Sequence, residues 1–151
     1  MTGGYDGSYI KSVETISGEK DDACRVADMP EGRRGHASFQ EDGKLFSCGG
    51  RADGLGYTDT CLSYDPVRGE WKPEAKLTTK WRYYASFVKV DGKSCLMGGW
   101  SDDGAKNSIE CYNKASGWSL LPERIPGAGI FLSCAVTLPN KIIVTGGASS
   151  G

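Results

Sequence analysis

A repeat constrains the fold more than any other feature of this chain. Gly-Gly pairs start at residues 3, 49, 98 and 146, spaced by 46, 49 and 48 residues, and the same order of features surrounds them. A period of this size marks a chain built from one supersecondary unit, stacked so that neighbours bury faces that no unit can bury alone. "GHASFQEDGKLFSCGG" leads through a polar loop to "TCLSYDPVRGEWKPEAKL", and "YYASFVKVDGKSCLMGG" leads likewise to "SIECYNKASGWSLLPER". "FLSCAVTLPNKIIVTGG" starts a further copy. The opening "MTGGYDGSYI" has the glycine pair without the apolar run that precedes the others, and "SVETIS" and "ACRVADMP" follow it.

Each unit reads as four short strands. "HASFQ" and "YYASFVKV" mix aromatic or β-branched residues with small ones, and "EDGK", "VDGK" and "LPNK" are hairpin signals in which Gly or Asn tolerates positive φ. After them "LFSC", "SCLM" and "KIIVT" run almost continuously apolar, as strands covered on both faces do. The pairs Gly3 and Gly4, Gly49 and Gly50, Gly98 and Gly99, and Gly146 and Gly147 then fall where the backbone must turn sharply or pass close to a neighbour. A third strand carries Tyr64 or Tyr112, and a fourth starts at Trp71 or Trp118, seven and six residues later. The two rings therefore sit near one hairpin and can fill the gap between adjacent sheets.

Gly-Gly, a polar loop, a Tyr and then a Trp, recurring in register, resembles the kelch repeat. In that family each repeat is one four-stranded blade of a β-propeller. The resemblance covers essentially the whole chain and implies an all-β, kelch-type β-propeller with about three four-stranded antiparallel blades' worth of strands. Residues 1–30 would supply the third and fourth strands of a split blade, 31–77 and 78–122 two whole blades, and 123–151 the first and second strands of a split blade. The first unit departs from the pattern, with no Tyr in "SVETIS" and Cys24 where a Trp is expected. Propellers normally close with about four to eight blades, which leaves three arrangements. The chain is a piece of a longer, six-bladed product; or two chains pair as a homodimer into one six-bladed ring, each end completing the other's split blade; or the blades stand as an open arc. Exposed strand edges count against the arc, and the first arrangement is the expectation.

Charge narrows the partners. Eighteen basic and nineteen acidic side chains, spread evenly, give a net charge of −1 and no basic stripe of the kind a phosphate backbone requires. Nucleic acid and membrane are therefore not expected as partners. No apolar run approaches the roughly 20 residues of a spanning helix, and the start lacks a signal-peptide pattern. A single histidine, His36, cannot build a zinc site or a Ser-His-Asp arrangement by itself. Tyr84 and Leu132 stand at what read as its repeat counterparts, which makes it a packing residue. Some propellers of the superfamily are copper oxidases, but their Tyr and His ligands have no match here. "SDDG" at 101–104 lacks the alternating ligands and closing Glu of a calcium loop and reads as a solvated turn. The expectation is no enzyme, no metal and no cofactor; an isomerase or lyase would need its acid, base and metal groups outside these residues.

Counting inward from the turns, Cys48 falls opposite Cys61, and Cys95 opposite Cys111. Cysteine is also a small apolar residue common in buried strands, so free buried thiols are expected, with two cross-strand disulfides as the alternative. Cys24 and Cys134 have no evident partner, and none of the three Asn residues starts an Asn-x-Ser/Thr acceptor. Both facts lean toward a reducing, cytoplasmic location; disulfides would favour secretion.

The kelch resemblance implies a non-enzymatic protein–protein interaction module. In the family, the loops after each glycine pair and between blades open on the face that grips a partner peptide. Here that face would present Arg33, Arg34, Arg51, Tyr57, Trp81, Arg82, Tyr83 and Trp100, together with Tyr5. Guanidiniums and aromatic rings are hot-spot chemistry, suited to an acidic motif held by bidentate hydrogen bonds. For Arg33 and Arg34 a structural role is the competing reading. Family members join such propellers to a BTB domain that recruits a cullin-type ubiquitin ligase, bind actin, or act outside the cell.

Overall fold

The computed structural model describes residues 2–15, 26–80, 82–139 and 141–149, and its regular structure is all β. In chain order the strands are β1 (Thr2–Tyr5), β2 (Tyr9–Val13), β3 (Arg33–Arg34), β4 (Ala37–Glu41), β5 (Lys44–Cys48), β6 (Arg51–Ala52), β7 (Gly56–Tyr57), β8 (Cys61–Asp65) and β9 (Glu70–Glu74). They continue as β10 (Ser86–Val90), β11 (Lys93–Met97), β12 (Trp100–Ser101), β13 (Gly104–Ala105), β14 (Ser108–Asn113), β15 (Gly117–Arg124), β16 (Cys134–Leu138) and β17 (Lys141–Thr145). Two antiparallel four-stranded sheets, β4-β5-β8-β9 and β10-β11-β14-β15, are whole blades. The pairs β1-β2 and β16-β17 are the partial blades on either side. β15 extends through Arg124, so the second whole blade crosses the boundary expected at 122. No helix of the described residues is long and apolar enough to cross a membrane.

The hairpin signals fix the register. Asp42-Gly43 and Asp91-Gly92 all have positive φ and join Glu41 to Lys44 and Val90 to Lys93, as two-residue hairpins require. Pairing of Ala37 with Cys48, Ser86 with Met97 and Cys134 with Thr145 makes Ala37, Ser86 and Cys134 equivalent. His36 therefore corresponds to Ala85 and Ser133, one residue away from the counterparts read from the sequence. Tyr84 and Leu132 instead match Gly35, and all three adopt left-handed φ, at 56°, 56° and 60°. Alignment by side-chain type missed this because the equivalence lies in the backbone.

Tyr64 sits opposite Trp71 and Tyr112 opposite Trp118, as the spacing implies. The second pair packs onto the preceding blade: Trp118 meets Phe39 edge-on at 5.9 Å between ring centroids and Tyr112 meets Phe46 at 5.3 Å. With Leu77 and Leu96 these rings form the core between the two blades. Trp71 instead donates its indole N–H to the Ala27 carbonyl at 2.8 Å, on the side of the first partial blade.

The cysteines correct an expectation. Both cross-strand pairs, Cys48–Cys61 and Cys95–Cys111, are disulfides rather than free thiols. The register puts each pair directly opposite, with Cα atoms 4.1 and 4.0 Å apart. Cys134 is exposed and unbonded, and Cys24 lies outside the described residues.

At the glycine pairs one blade touches the next, backbone to backbone. A Cβ on Gly3 would lie 2.6 Å from the Arg33 carbonyl oxygen, on Gly49 2.9 Å from that of Arg82, and on Gly98 2.3 Å from that of Ile130. The second glycine then bonds across the same gap: Gly50 N–H donates to the Arg82 carbonyl at 3.1 Å and Gly99 N–H to that of Ile130 at 2.8 Å. Nearer the axis, Tyr84 N–H donates to the Gly35 carbonyl at 2.8 Å and Leu132 N–H to the Tyr84 carbonyl at 3.1 Å.

These contacts separate glycines that hold blades together from glycines that only turn. Gly92 shares the positive φ of Gly98 but has nothing within 4 Å of its missing Cβ. Gly92→Ala should therefore cost about 1–2 kcal/mol of backbone strain, and Gly98→Ala several kcal/mol more as β11 and Ile130 are forced apart. Urea unfolding of the two variants checks this; equal losses would mean that the close approach contributes nothing.

Candidate partner-binding face

Two arginines sit at one repeat position, each 16 residues ahead of the first glycine of its own blade. Arg33 donates to the carbonyls of Gly49 and Thr60 at 3.2 and 2.9 Å, and Arg82 to those of Gly98 and Ser108 at 2.7 and 3.0 Å. Each guanidinium thus ties the end of its blade's second strand to the start of its third. Arg33 also pairs with Glu31 and Arg82 with Glu110. The Glu110 carboxylate in turn accepts from the Thr78 N–H and hydroxyl at 2.9 and 2.8 Å. Both arginines are 0% exposed. They are corrections to the candidate set: fully buried and turned to internal partners, they present nothing to a ligand, although the Arg33 Nε lacks a hydrogen bond. Their shared offset from the glycines was the signal in the sequence for this role.

Arg34 and Arg51 are different. They pair opposite one another between β3 and β6, at the ends of the blades where the glycine pairs lie. Arg34 stacks on Tyr5, with Cζ 4.3 Å from the ring centroid, and reaches Tyr9 at 5.3 Å; Arg51 stacks on Tyr57 at 4.9 Å. Among the described residues neither has an acidic partner, and the Nε of each is buried without a hydrogen bond. Stacking on rings orders a guanidinium while leaving its charge uncompensated.

The surrounding rings follow the repeat. Tyr83, one residue after Arg82, packs edge-on to Tyr57 of the preceding blade at 5.5 Å, and its ring lies so close to Gly35 that a Cβ there would meet it at 2.3 Å. Phe131, equivalent to Tyr83, packs on Trp100 at 4.9 Å in the same way. Arg34, Tyr83 and Phe131 thus use one repeat position to reach the preceding blade, Arg34 and Phe131 on the equivalent Tyr5 and Trp100, and Tyr83 on Tyr57 of the neighbouring strand. Burial, helped by its neighbour Tyr84, pushes the Tyr83 hydroxyl up to about 12, so it stays neutral and able to donate. Tyr84, about a third exposed, extends the surface toward the axis.

The structure therefore gathers Arg34, Arg51, Tyr57 and Tyr83, with Tyr5, into one continuous surface, and places Trp100 at the next blade junction. Trp81 lies outside the described residues. Tyr9, Tyr84 and Phe131 belong to the same face and were missed, because the sequence shows a ring but not which blade it leans on. "SDDG" forms the tight β12–β13 turn, where Asp103 binds Ser101 and Lys106. Among the described residues no group of three or more His, Cys, Asp or Glu side chains is placed to hold a metal ion.

No family model matches the chain. It is 33% identical over 119 residues to human Kelch-like protein 33, an alignment covering 76% of this chain and 21% of that protein. It is 26% identical over 120 residues to Kelch-like protein 41a of Danio rerio, covering 79% and 18% respectively. Kelch-like protein 15 of Danio rerio is 30% identical over 70 residues, covering 46% and 12%. The chain belongs to the kelch-repeat family. It spans about a fifth of the length of the curated relatives that it matches over most of its own length.

His36 lies beside this kelch face, on its inner side. Its Nε2 is 3.1 Å from Thr2 Oγ1, and its Nδ1 is buried without a partner. Burial, with a smaller push from the Arg33 charge, lowers the imidazole from 6.5 to about 4. The folded chain holds the ring neutral while the unfolded chain protonates it below about 6.5. Its contribution is complete above that pH and is lost as pH falls toward 4. Chemical denaturation between pH 7 and pH 4 should show the wild type losing about 2–3 kcal/mol more than His36→Gln. Parallel profiles for the two proteins would show that the ring is not held neutral.

Proposed function

We propose that this kelch segment is a protein-interaction module whose Arg34–Arg51 face takes an acidic peptide. The observation that carries the reading is the pair itself: two adjacent guanidiniums, each ordered on a tyrosine ring and neither neutralised by a carboxylate among the described residues. A peptide carboxylate would complete them with charge-assisted, bidentate hydrogen bonds, and the Tyr5, Tyr57 and Tyr83 rings would cover its flanking residues. The buried arginines give this surface a rigid floor, so little ordering is left for binding. For the whole protein, similarity to three Kelch-like proteins supports the role of substrate receptor joined to a BTB domain that recruits a cullin-type ubiquitin ligase.

Selection from a random peptide library against the chain tests the reading. Recovered peptides should carry clustered Asp or Glu, bind more weakly as salt rises, and lose about tenfold or more in affinity with either Arg34→Ala or Arg51→Ala. Those two variants should keep wild-type unfolding midpoints to within a few degrees, since among the described residues neither guanidinium bonds to the backbone. Neutral peptides whose affinity ignores both substitutions would reject the face.

A further inference from the structure

The two disulfides are not equivalent. Ala37 and Ser86 hold one repeat position, so their partners Cys48 and Met97 match across β5 and β11, and on the neighbouring strands Cys61 matches Ile109. Cys48–Cys61 therefore ties the last residue of β5 to the first of β8, directly beside the glycine pair. Cys95–Cys111 lies two residues further along its own blade and leaves Met97 opposite Ile109 at the matching place.

Between Cys48 and Cys61 runs the arm that carries half of the arginine face. Residues 49–60 include β6, with Arg51, and β7, with Tyr57, and Gly49, Gly50, Gly54 and Gly56 among them all have positive φ. A segment so rich in glycine has much conformational freedom to lose, and the closure at its base decides how firmly Arg51 and Tyr57 are held. Just beyond the disulfide, Gly49 N–H donates to the Thr60 carbonyl and Thr58 N–H to the Gly50 carbonyl, each at 3.0 Å. Arg33 binds the carbonyls of Gly49 and Thr60. The second blade fastens its arm differently. There Arg82 pairs with Glu110, a fully buried residue of β14 itself that stands where β8 has Leu62. Arg33 pairs instead with Glu31, on the segment ahead of it, and its Nε has no hydrogen bond. In the first blade a covalent bond stands where the second has a buried carboxylate and two bulky side chains.

We propose that Cys48–Cys61 is a redox clasp on the Arg51–Tyr57 arm: oxidised, it orders the arm for an acidic peptide; reduced, it lets the arm loosen and the affinity fall. The inference rests on the acidic-peptide reading above. The reductant is a small thiol such as glutathione, which supplies two electrons and two protons. One thiolate attacks a sulfur of the disulfide and forms a mixed disulfide, a second thiolate releases it, and two cysteine thiols and one small-molecule disulfide result. Oxidation by that small-molecule disulfide is the reverse. Two separate thiols need more room than the bond between them, and this site has none, since Cys48 and Cys61 are 0% and 1% exposed in the core with Leu77 and Leu96. The ends of β5 and β8 must part, and the arm hangs from both. The same burial admits a thiol only when the arm opens, so a bound peptide protects the disulfide. Coupling is reciprocal: if oxidation raises peptide affinity about tenfold, peptide favours the disulfide about tenfold, or about 30 mV for this two-electron couple.

Fluorescence anisotropy of a labelled hexaglutamate peptide tests the proposal on the oxidised chain and on two double variants. Cys48→Ala with Cys61→Ala should bind the peptide about tenfold more weakly. Cys95→Ala with Cys111→Ala loses a disulfide that spans 16 residues rather than 13 and should bind as the oxidised wild type does. In that second variant, reduction by excess dithiothreitol should itself lower the affinity about tenfold, and reoxidation should restore it. Hydrogen exchange without peptide gives a separate readout. The Thr58 amide should exchange about tenfold faster in the first variant, while the Lys106 amide, its counterpart bonded to the Gly99 carbonyl, keeps its wild-type protection. Peptide affinity and Thr58 exchange indifferent to Cys48–Cys61, or the same loss in both variants, would overturn the clasp alone. Hexaglutamate that binds no form of the chain would overturn the acidic face and this control of it together.

Discussion

Consecutive blades of this chain meet at a point where no side chain fits. Gly3, Gly49 and Gly98 take left-handed φ and press their Cα faces against a carbonyl of the next blade, and Gly50 and Gly99 donate their N–H across the same gap. Strand packing above and below can close only as far as that backbone contact permits. It sets the distance at which Trp118 and Tyr112 reach Phe39 and Phe46, and so the thickness of the core between the blades.

Around that contact the molecule runs a relay. The carbonyl of Arg82 receives the N–H of the preceding blade's glycine, while its side chain binds the carbonyl of the glycine in its own blade. Arg33 has the same position at the preceding junction. In the next copy Ile130 replaces arginine, and the junction is held instead by its side chain in the apolar cluster with Val88 and Met97. Burying a guanidinium is tolerable only because carbonyls, hydroxyls and a glutamate surround it. Directly after it comes the residue that leans on the previous blade's ring: Arg34, Tyr83 or Phe131. Structural and exposed arginines are therefore neighbours in sequence, and the binding surface is the outer layer of the same joint that holds the blades.

The blades, their strand order, the hairpin turns and the Tyr–Trp pairs were legible in the sequence, because each rests on local signals: glycine, aspartate-glycine turns and strand periodicity. The division of labour among the arginines was not. "PEGRRGH" places two identical side chains side by side, and only strand register sends Arg33 inward to Gly49 and leaves Arg34 on Tyr5. His36 was rightly assigned to packing but aligned one residue off, since a Tyr and a Leu carry the left-handed φ that a Gly carries at position 35. Cysteine pairing was visible as a juxtaposition; whether the thiols join is not written in the spacing. Rings that bridge blades, such as Phe131 on Trp100, depend on contacts between units and leave no mark within either.

If the joint is what makes two blades one folding unit, its amides must exchange only when the whole sheet pair opens. Native-state hydrogen exchange read at Gly50, Tyr84, Gly99 and Leu132, all of which bond across a blade boundary, is the direct measurement. The account predicts protection equal to that of central strand amides such as Phe46 and Leu96, with the same denaturant dependence. Fast exchange at these four positions while the strand amides stay protected would mean that each blade folds alone and that the glycine contact is incidental.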